Sequence, residues 1–314
     1  MFKADRTRGE DERRSTPSLD AGAAADTATP SDASDASDET GKAIAFLIAG
    51  LFLFSLQDII IKQLSTAYSV HQIVFIRASI SVPLLLVIIR LADDAPSLTT
   101  RRPWTHLLRG MLLFTAYTSF YLALAAMALA DVVAIAFSSP LIITVFAVVF
   151  LGEKVGIKRW TAIAVGFIGV LFIVRPGAGV FEPAAVLAIV CAVTYGAAQL
   201  LARRVGKADG GAQMSLYATL VYVLLGGATF FLIGDGRFLT EDSHPSLQFL
   251  LRAWVWPTPL HMAMMVATAV ISAIGMFFLS SAYQRGEASA VSPFEYTGLI
   301  WALAFGFLFF GEVP

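Results

Sequence analysis

The chain has 314 residues, of which 57% are hydrophobic and only 14% are charged, and its mean hydropathy is +0.73. Soluble domains typically contain about 25% charged residues, so this composition excludes an ordinary soluble domain and indicates an integral membrane protein. The formal net charge of −1 conceals an acidic N-terminal segment and a basic remainder.

The N-terminal segment, residues 1–41, holds five Lys/Arg and ten Asp/Glu, against 17 and 13 in residues 42–314. It is composed mainly of Ala, Ser, Thr, Asp and Pro, with little apolar surface to bury, which predicts a disordered tail. It contains no apolar stretch long enough for a signal peptide, so the first apolar helix is expected to be an uncleaved insertion signal.

Long apolar stretches follow this tail along the rest of the chain. Stretches of about 20 such residues predict transmembrane helices. We predict nine spans, at 43–64, 71–90, 104–126, 131–151, 159–175, 183–203, 213–233, 260–284 and 288–310.

Basic residues are distributed unevenly between the two sides of these spans. Twelve Lys/Arg lie before the first span or after the second, fourth, sixth and eighth, and four lie on the other side. The positive-inside rule therefore predicts a cytoplasmic N-terminus and, after nine spans, an external C-terminus. The single cysteine, Cys191, excludes an intrachain disulfide.

Two stretches, 121–153 and 280–312, share one layout at an offset of 159 residues. Each passes from small residues through a polar break into an apolar stretch ending at Gly-Glu, with six of 33 pairs identical. A second offset, of 141, relates helices 1–2 to helices 6–7 through the pairs Asp58/Gln199, Lys62/Arg203 and Gln72/Gln213.

Five spans separate the matched helices, so the second copy would be inverted relative to the first. Inverted repeats are typical of secondary transporters whose substrate site lies near the membrane midplane. The repeat predicts a tenth helix after Pro314, so we expect the chain to be a fragment or to end one helix early.

Three segments carry a family resemblance: LFLFSLQDIIIKQLS (51–65), PLIITVFAVVFLGEKVGIKRWTAIAVGFIGVLFIVRPG (140–177) and PFEYTGLIWALAFGFLFFGEVP (293–314). They resemble the EamA family of the drug/metabolite transporter superfamily, and the resemblance covers about 43–314. It implies an all-α membrane fold of two inverted five-helix repeats.

On that family pattern, residues 42–177 would form the first repeat, and residues 178–314 the second repeat without its tenth helix. The family moves amino acids, amines, carboxylates, nucleotide sugars and vitamins in either direction. The nearest group contains bacterial riboflavin and S-adenosylmethionine uptake proteins.

Two charged residues, Asp58 and Arg77, lie within neighbouring predicted spans. Charges inside a span are costly and are usually paired or face a cavity. Both would lie roughly 9 Å from the outer helix ends, so we predict that they come within salt-bridge reach. The pair could be structural, or Arg77 could bind an anionic group or extend to the outer interface.

A third intramembrane charge, Glu295, would lie roughly 10 Å from the cytoplasmic end of the ninth span. Its counterpart at the offset of 159 is Ala136, so the repeat does not supply a symmetric partner. We interpret Glu295 as a ligand for a substrate cation or as a proton site. The alternative is a hydrogen bond to a Tyr, Ser or Thr of a neighbouring helix. Tyr296 beside it could contact substrate or pack in the core.

Prolines within two spans, Pro140 and Pro293, each remove a backbone donor. Such interruptions often mark a transporter's binding site, although many membrane prolines only kink a helix. An aromatic pocket could be formed by Tyr117, Phe120, Tyr121 and Trp301, for which ordinary packing is the alternative.

These features predict a secondary transporter that moves a small organic metabolite by alternating access, as a multi-pass protein of the bacterial inner membrane. A membrane-embedded enzyme and a non-transporting receptor or sensor are the alternatives. No catalytic motif is found, and the four histidines lack metal-ligand spacing. The expected partners are the metabolite and the lipid bilayer, with a homodimer compatible and no nucleic acid or cofactor expected.

Overall fold

The computed structural model describes residues 30–91, 99–152, 182–205, 211–240, 242–285 and 292–312, with eight isolated positions between 156 and 169. Every regular element in these ranges is helical. In chain order they are α1 Pro30–Leu64, α2 Val70–Leu91, α3 Pro103–Leu124, α4 Leu129–Ala136, α5 Ser139–Leu151, α6 Ala184–Val205, α7 Gly211–Ile233, α8 Pro245–Leu251, α9 Pro259–Arg285, a 3-10 turn Ser292–Tyr296, and α10 Thr297–Phe310.

Seven helical stretches in the described part of the chain are long and apolar enough to cross a membrane. Six of them lie in single helices, and the seventh, Leu129–Phe150, combines α4 and α5. A shorter apolar helical stretch covers Phe294–Phe310. The expected all-helical membrane protein is therefore confirmed, while the predicted span at 159–175 lies mostly outside the described residues.

Helix α1 begins at Pro30, thirteen residues before the predicted start of the first span. Proline is well suited to the first position of a helix. The rest of the predicted tail, residues 1–29, lies outside the described residues.

The two Gly-Glu sequences of the repeat end their helices in the same way. Gly152 and Gly311 adopt left-handed backbone conformations, with φ of 67° and 65°, which glycine reaches without a steric penalty. At the second site, Gly311 N donates to Phe307 O and Glu312 N donates to Gly306 O. These bonds satisfy carbonyls of the last turn and direct Glu312 back toward the bundle.

Side-by-side packing joins the first part of the chain to the second. The main contacts join α1 with α9, α3 with α6, and α2 with α7, and α10 packs on α1 while α4 and α5 pack on α6. Hydrogen bonds from Gln213 to Thr99 O (2.9 Å) and from Arg109 to Met214 O (3.3 Å) tie the start of α3 to the start of α7.

Glycines allow several of these helices to approach closely, as is common in membrane bundles. A Cβ on Gly50 would lie 3.2 Å from the carbonyl oxygen of Gly275, across α1 and α9. A Cβ on Gly110 in α3 would lie 2.7 Å from Cγ2 of Val221 in α7. Val221 is itself buried, so its side chain has little room to move away from a methyl group added at Gly110.

We expect Gly110→Ala to destabilise the folded protein by about 1–3 kcal/mol, because the new methyl group overlaps the Val221 side chain. Adding Val221→Ala should recover part of that loss by removing the overlapping methyl groups. Thermal unfolding of the purified protein measures both effects. Gly41→Ala, whose Cβ would meet nothing within 4 Å, is the control, and equal loss in it would contradict the packing argument.

Candidate functional site

A cavity of about 680 Å³ lies between the helices that carry most of the predicted site residues. Its walls come from α1, α3, α4, α5, α6, α9, the 3-10 turn and α10. Six aromatic side chains line it: Phe54, Tyr117, Phe120, Tyr121, Phe137 and Tyr195. The polar groups are Ser55, Gln57, Asp58, Ser139, Gln199 and Glu295, with Cys191 on the wall formed by α6.

Interruptions in two spans form one side of the cavity. The predicted fourth span is divided into α4 and α5 by a turn at Phe137 and Ser138, and Pro140 occupies the first turn of α5. Proline is tolerated there because the N–H that it lacks would have no partner within the helix. Before α10, the 3-10 turn contains Pro293 and Glu295.

These two interruptions lie against each other. The rings of Phe137 and Tyr296 meet edge to face, with their centroids 5.8 Å apart. A Cβ on Gly298 would lie 3.2 Å from the Phe137 ring. The close approach brings the polar residues at both breaks, Ser139 and Glu295, to the same cavity.

A buried polar network beside the cavity is centred on Tyr121. The Tyr121 hydroxyl accepts a hydrogen bond from Arg77 Nη1 at 3.0 Å and lies 3.0 Å from the side-chain amide of Gln57. When that amide is oriented to satisfy both of its ends, its oxygen accepts from Tyr121 and from Arg77 (3.3 Å), and its nitrogen donates to Thr268 O (3.3 Å). The network connects α1, α2, α3 and α9.

This network changes the predicted relation between Asp58 and Arg77. Within the described residues, Asp58 forms no ion pair or hydrogen bond, although Arg77 is within electrostatic range. The guanidinium is held by Tyr121 and Gln57, so the direct pair is not formed in this structure. Arg77 is only 7% exposed and its guanidinium bonds Tyr121, so its side chain does not extend to the interface in this structure. Asp58 lines the cavity, whereas Arg77 is not among the residues that line it.

The remaining predicted residues divide between the cavity and its surroundings. Tyr117 lines the cavity, as does Glu295, which is half-buried. Trp301 instead packs edge to face against Phe52, with centroids 5.1 Å apart, and its indole N–H has no partner among the described residues. Tyr296 is 59% exposed. The packing alternative therefore describes Trp301 better than a place in the cavity wall.

One ionic contact was not predicted, between Lys62 at the end of α1 and Glu312 after α10. Lys62 Nζ also donates to Met127 O at 2.8 Å, and Glu312 Oε2 accepts from Leu129 N at 2.9 Å, at the start of α4. The two charged side chains are only 12% and 20% exposed. We call Lys62, Glu312 and these two backbone groups the latch.

The latch lies at the end of the bundle where α1, α3 and α10 end. The cavity lies on the inner side of it and continues toward the opposite end, where its wall includes Ala202, Leu279 and Glu295. Ala202 is near the end of α6, and Leu279 is near the end of α9. The bundle is thus bridged by an ion pair at one end of the cavity, and the wall toward the other end combines the small and apolar residues Ala202 and Leu279 with Glu295.

Arg109 is a further charged residue within an apolar helix. From the sequence it is only one of the basic residues on one side of the spans. It is half-buried in α3, where Nη1 bonds Met214 O and the buried Nε has no partner among the described residues. The described part of the chain contains no group of three or more His, Cys, Asp or Glu side chains that could hold a metal ion.

Comparisons with known proteins agree with this architecture. Residues 41–175 match the model of the EamA-like transporter family. A solved crystal structure superposes on the chain with a TM-score of 0.54 at 17% identity, covering 90% of both chains. The first part of the chain therefore matches the EamA family, and the resemblance to the EamA family of the drug/metabolite transporter superfamily that the sequence predicts is confirmed.

Curated relatives extend the similarity over most of the chain. It is 25% identical to an S-adenosylmethionine uptake transporter of Rickettsia conorii, over 86% of this chain and 85% of that one. It is 26% identical to the pseudopaline exporter CntI of Pseudomonas aeruginosa (86% and 88%). A riboflavin transporter of Vibrio cholerae is 27% identical (87% and 86%). These relatives identify the chain as a transporter and are consistent with a protein that is not an enzyme.

We expect Tyr121→Phe to lower stability by about 1–3 kcal/mol, because it removes the hydroxyl that bonds Arg77 and Gln57 in a buried site. Tyr117→Phe is the matched control, since the Tyr117 hydroxyl bonds no described residue. Thermal unfolding compares the two variants. In a double-mutant cycle with Arg77→Met, strictly additive losses would contradict the network.

Proposed function

We propose that the protein is a secondary transporter that moves a small organic metabolite across the bacterial inner membrane by alternating access. The observation that carries this proposal is a cavity within the membrane bundle, bridged by charge at one end and continuing toward the other. Its volume is in the range of small-molecule sites. The relatives named above move small organic compounds, which supports the same substrate class here.

The cavity wall supports the inverted repeat. Fourteen of its 24 residues fall into seven pairs at the two offsets found in the sequence: 51/192, 54/195 and 58/199 at 141, and 117/276, 120/279, 136/295 and 139/298 at 159. A cavity on a pseudo-two-fold axis would be lined by equivalent positions in this way.

Helix packing supports the same arrangement. The repeat relates α1 to α6, α2 to α7, α3 to α9, and α4–α5 to α10. The contact of α1 with α9 then corresponds to that of α6 with α3, and the contact of α2 with α9 to that of α7 with α3. We infer that residues 42–177 and 178–314 form the two repeats, which would rock against each other around the cavity.

The basic residues of the connections support a cytoplasmic N-terminus. In that orientation the latch lies at the outer side, and the cavity continues toward the cytoplasm. The described conformation would then be an inward-facing state whose outer side is held by Lys62 and Glu312.

Glu295 lies at a position suited to a group that couples transport to substrate binding or to a proton. It lies on the cavity, in the 3-10 turn at the end opposite the latch. Its repeat counterpart Ala136 also lines the cavity and carries no charge, so the architecture alone does not require a carboxylate there. We infer that Glu295 takes part in the transport cycle through a substrate contact or a proton.

The latch predicts how access to the cavity depends on charge. Glu312→Gln should weaken the bridge between α1 and α10, because loss of one partner leaves a partly buried charge uncompensated, at a cost of about 3 kcal/mol. Cys191 is the single cysteine, is buried, and lines the cavity. A membrane-impermeant thiol reagent added to spheroplasts should therefore label Cys191 faster in Glu312→Gln than in the wild type.

Glu182→Gln is the control for this experiment, because Glu182 pairs with His244 at 2.9 Å in a more exposed setting. It should leave labelling unchanged. Inside-out vesicles report on access from the other side and should show labelling of the wild type. If Cys191 in Glu312→Gln is labelled at the wild-type rate from the latch side, the latch does not control access to the cavity.

The second functional prediction concerns Glu295. Glu295→Gln keeps the shape of the side chain but cannot ionise, so we expect transport in proteoliposomes to fall by about tenfold or more, or to lose its pH dependence. Expression and thermal stability should remain near those of the wild type. S-adenosylmethionine and riboflavin are the first substrates to test, with Glu182→Gln as the control; normal flux and normal pH dependence would make Glu295 a structural residue.

A further inference from the structure

Asp58 is an acidic group on the cavity that no described residue neutralises by direct contact. No described residue donates a hydrogen bond to its carboxylate or pairs with it. Keeping such a group inside a membrane bundle is costly, and these groups usually face a pathway or bind a ligand. Arg77, the nearby cation, is committed to Tyr121 and Gln57.

The charge on the cavity wall has one sign. Among the described lining residues the ionisable acidic groups are Asp58 and Glu295, and none is Lys, Arg or His. Arg77 and Lys62 are close in the fold but do not belong to the wall. An anionic ligand would therefore meet the Asp58 carboxylate and no Lys, Arg or His among the described lining residues, whereas a cation would be attracted.

Aromatic rings line the same cavity. Phe54 lies one turn from Asp58 on α1, and Tyr117 and Phe120 lie on the part of the wall formed by α3. Aromatic faces attract organic cations, most strongly when water is excluded. They also provide flat apolar surface against which a ring system can stack.

We propose that the cavity selects organic cations that carry a heteroaromatic ring, with Asp58 as the counter-ion of the cationic group. This inference rests on the proposed transport function and names its substrate class. The equivalent position in the other repeat is Gln199, a neutral residue that also lines the cavity. The two halves of the wall therefore differ in charge at this position, and the repeat supplies no second carboxylate equivalent to Asp58.

The experiment compares two probes that differ by one methyl group and one positive charge. S-adenosylmethionine carries a sulfonium cation, and S-adenosylhomocysteine has a neutral thioether at the same place. Equilibrium binding to the purified full chain should favour the sulfonium compound by about tenfold or more. Asp58→Asn should reduce the preference to about twofold or less, and Asp58→Glu should restore part of it.

Asp235→Asn is the matched control, because Asp235 is exposed and its 3.7 Å contact with Arg237 lies outside the cavity. It should keep the wild-type preference. Equal binding of the two probes by the wild type, binding of neither, or an undiminished preference in folded Asp58→Asn would each overturn the inference. The wild-type comparison decides the matter even if Asp58→Asn does not fold.

Flux measurements separate this inference from the transport proposal. If proteoliposomes carry both probes equally well, the protein is a carrier and the cation site is wrong. If the sulfonium compound binds selectively but does not cross, the cation site stands and the transport proposal fails. Selective binding together with selective uptake supports both.

Discussion

Compensation of buried charge is the constraint on which the rest of this bundle depends. An ionised side chain inside the hydrocarbon layer needs a partner or a water-accessible cavity. Lys62 and Glu312 meet this need across 250 residues of sequence, and Arg77 meets it through Tyr121 and Gln57. The first contact joins helices that are distant in the chain, and the second joins the three consecutive helices α1, α2 and α3. Asp58 is the exception, since it faces the cavity without a direct protein partner among the described residues.

Pseudo-symmetry and chemistry make opposite demands on the cavity wall. In the proposed inverted repeat, equivalent helices contribute equivalent positions, which would allow two similar halves to exchange their exposure to the two sides of the membrane. A bound metabolite is asymmetric, however, and needs particular groups at particular places. The wall differs where charge is concerned: Asp58 is matched by Gln199, and Glu295 by Ala136. These substitutions within a repeated frame are where specificity and coupling can arise.

Apolar periodicity was sufficient to predict most of the fold, because a span must satisfy its backbone within one helix. It also led to Asp58 and Glu295, since a charge in an apolar stretch is conspicuous. The hydrogen bond from Arg77 to Tyr121 could not be predicted from apolar periodicity. Similar depth in neighbouring helices does not fix which side chain points toward which, and Tyr121 from a third helix binds the guanidinium. Trp301 shows the same limit, because an aromatic residue on an apolar helix is suited to both packing and binding.

Asp58 and Lys62 are four residues apart on α1, so they lie on one helix face about a turn apart. The counter-ion of the proposed cation site and the cationic half of the latch are therefore carried by the same rigid element. A ligand shifts a conformational equilibrium only through different affinities for the two states. A cation held at Asp58 would neutralise a negative charge close to the Lys62 ammonium while Glu312 remains its partner. Occupancy of the cavity would thus change the electrostatic environment of the latch directly, without a relay through other helices.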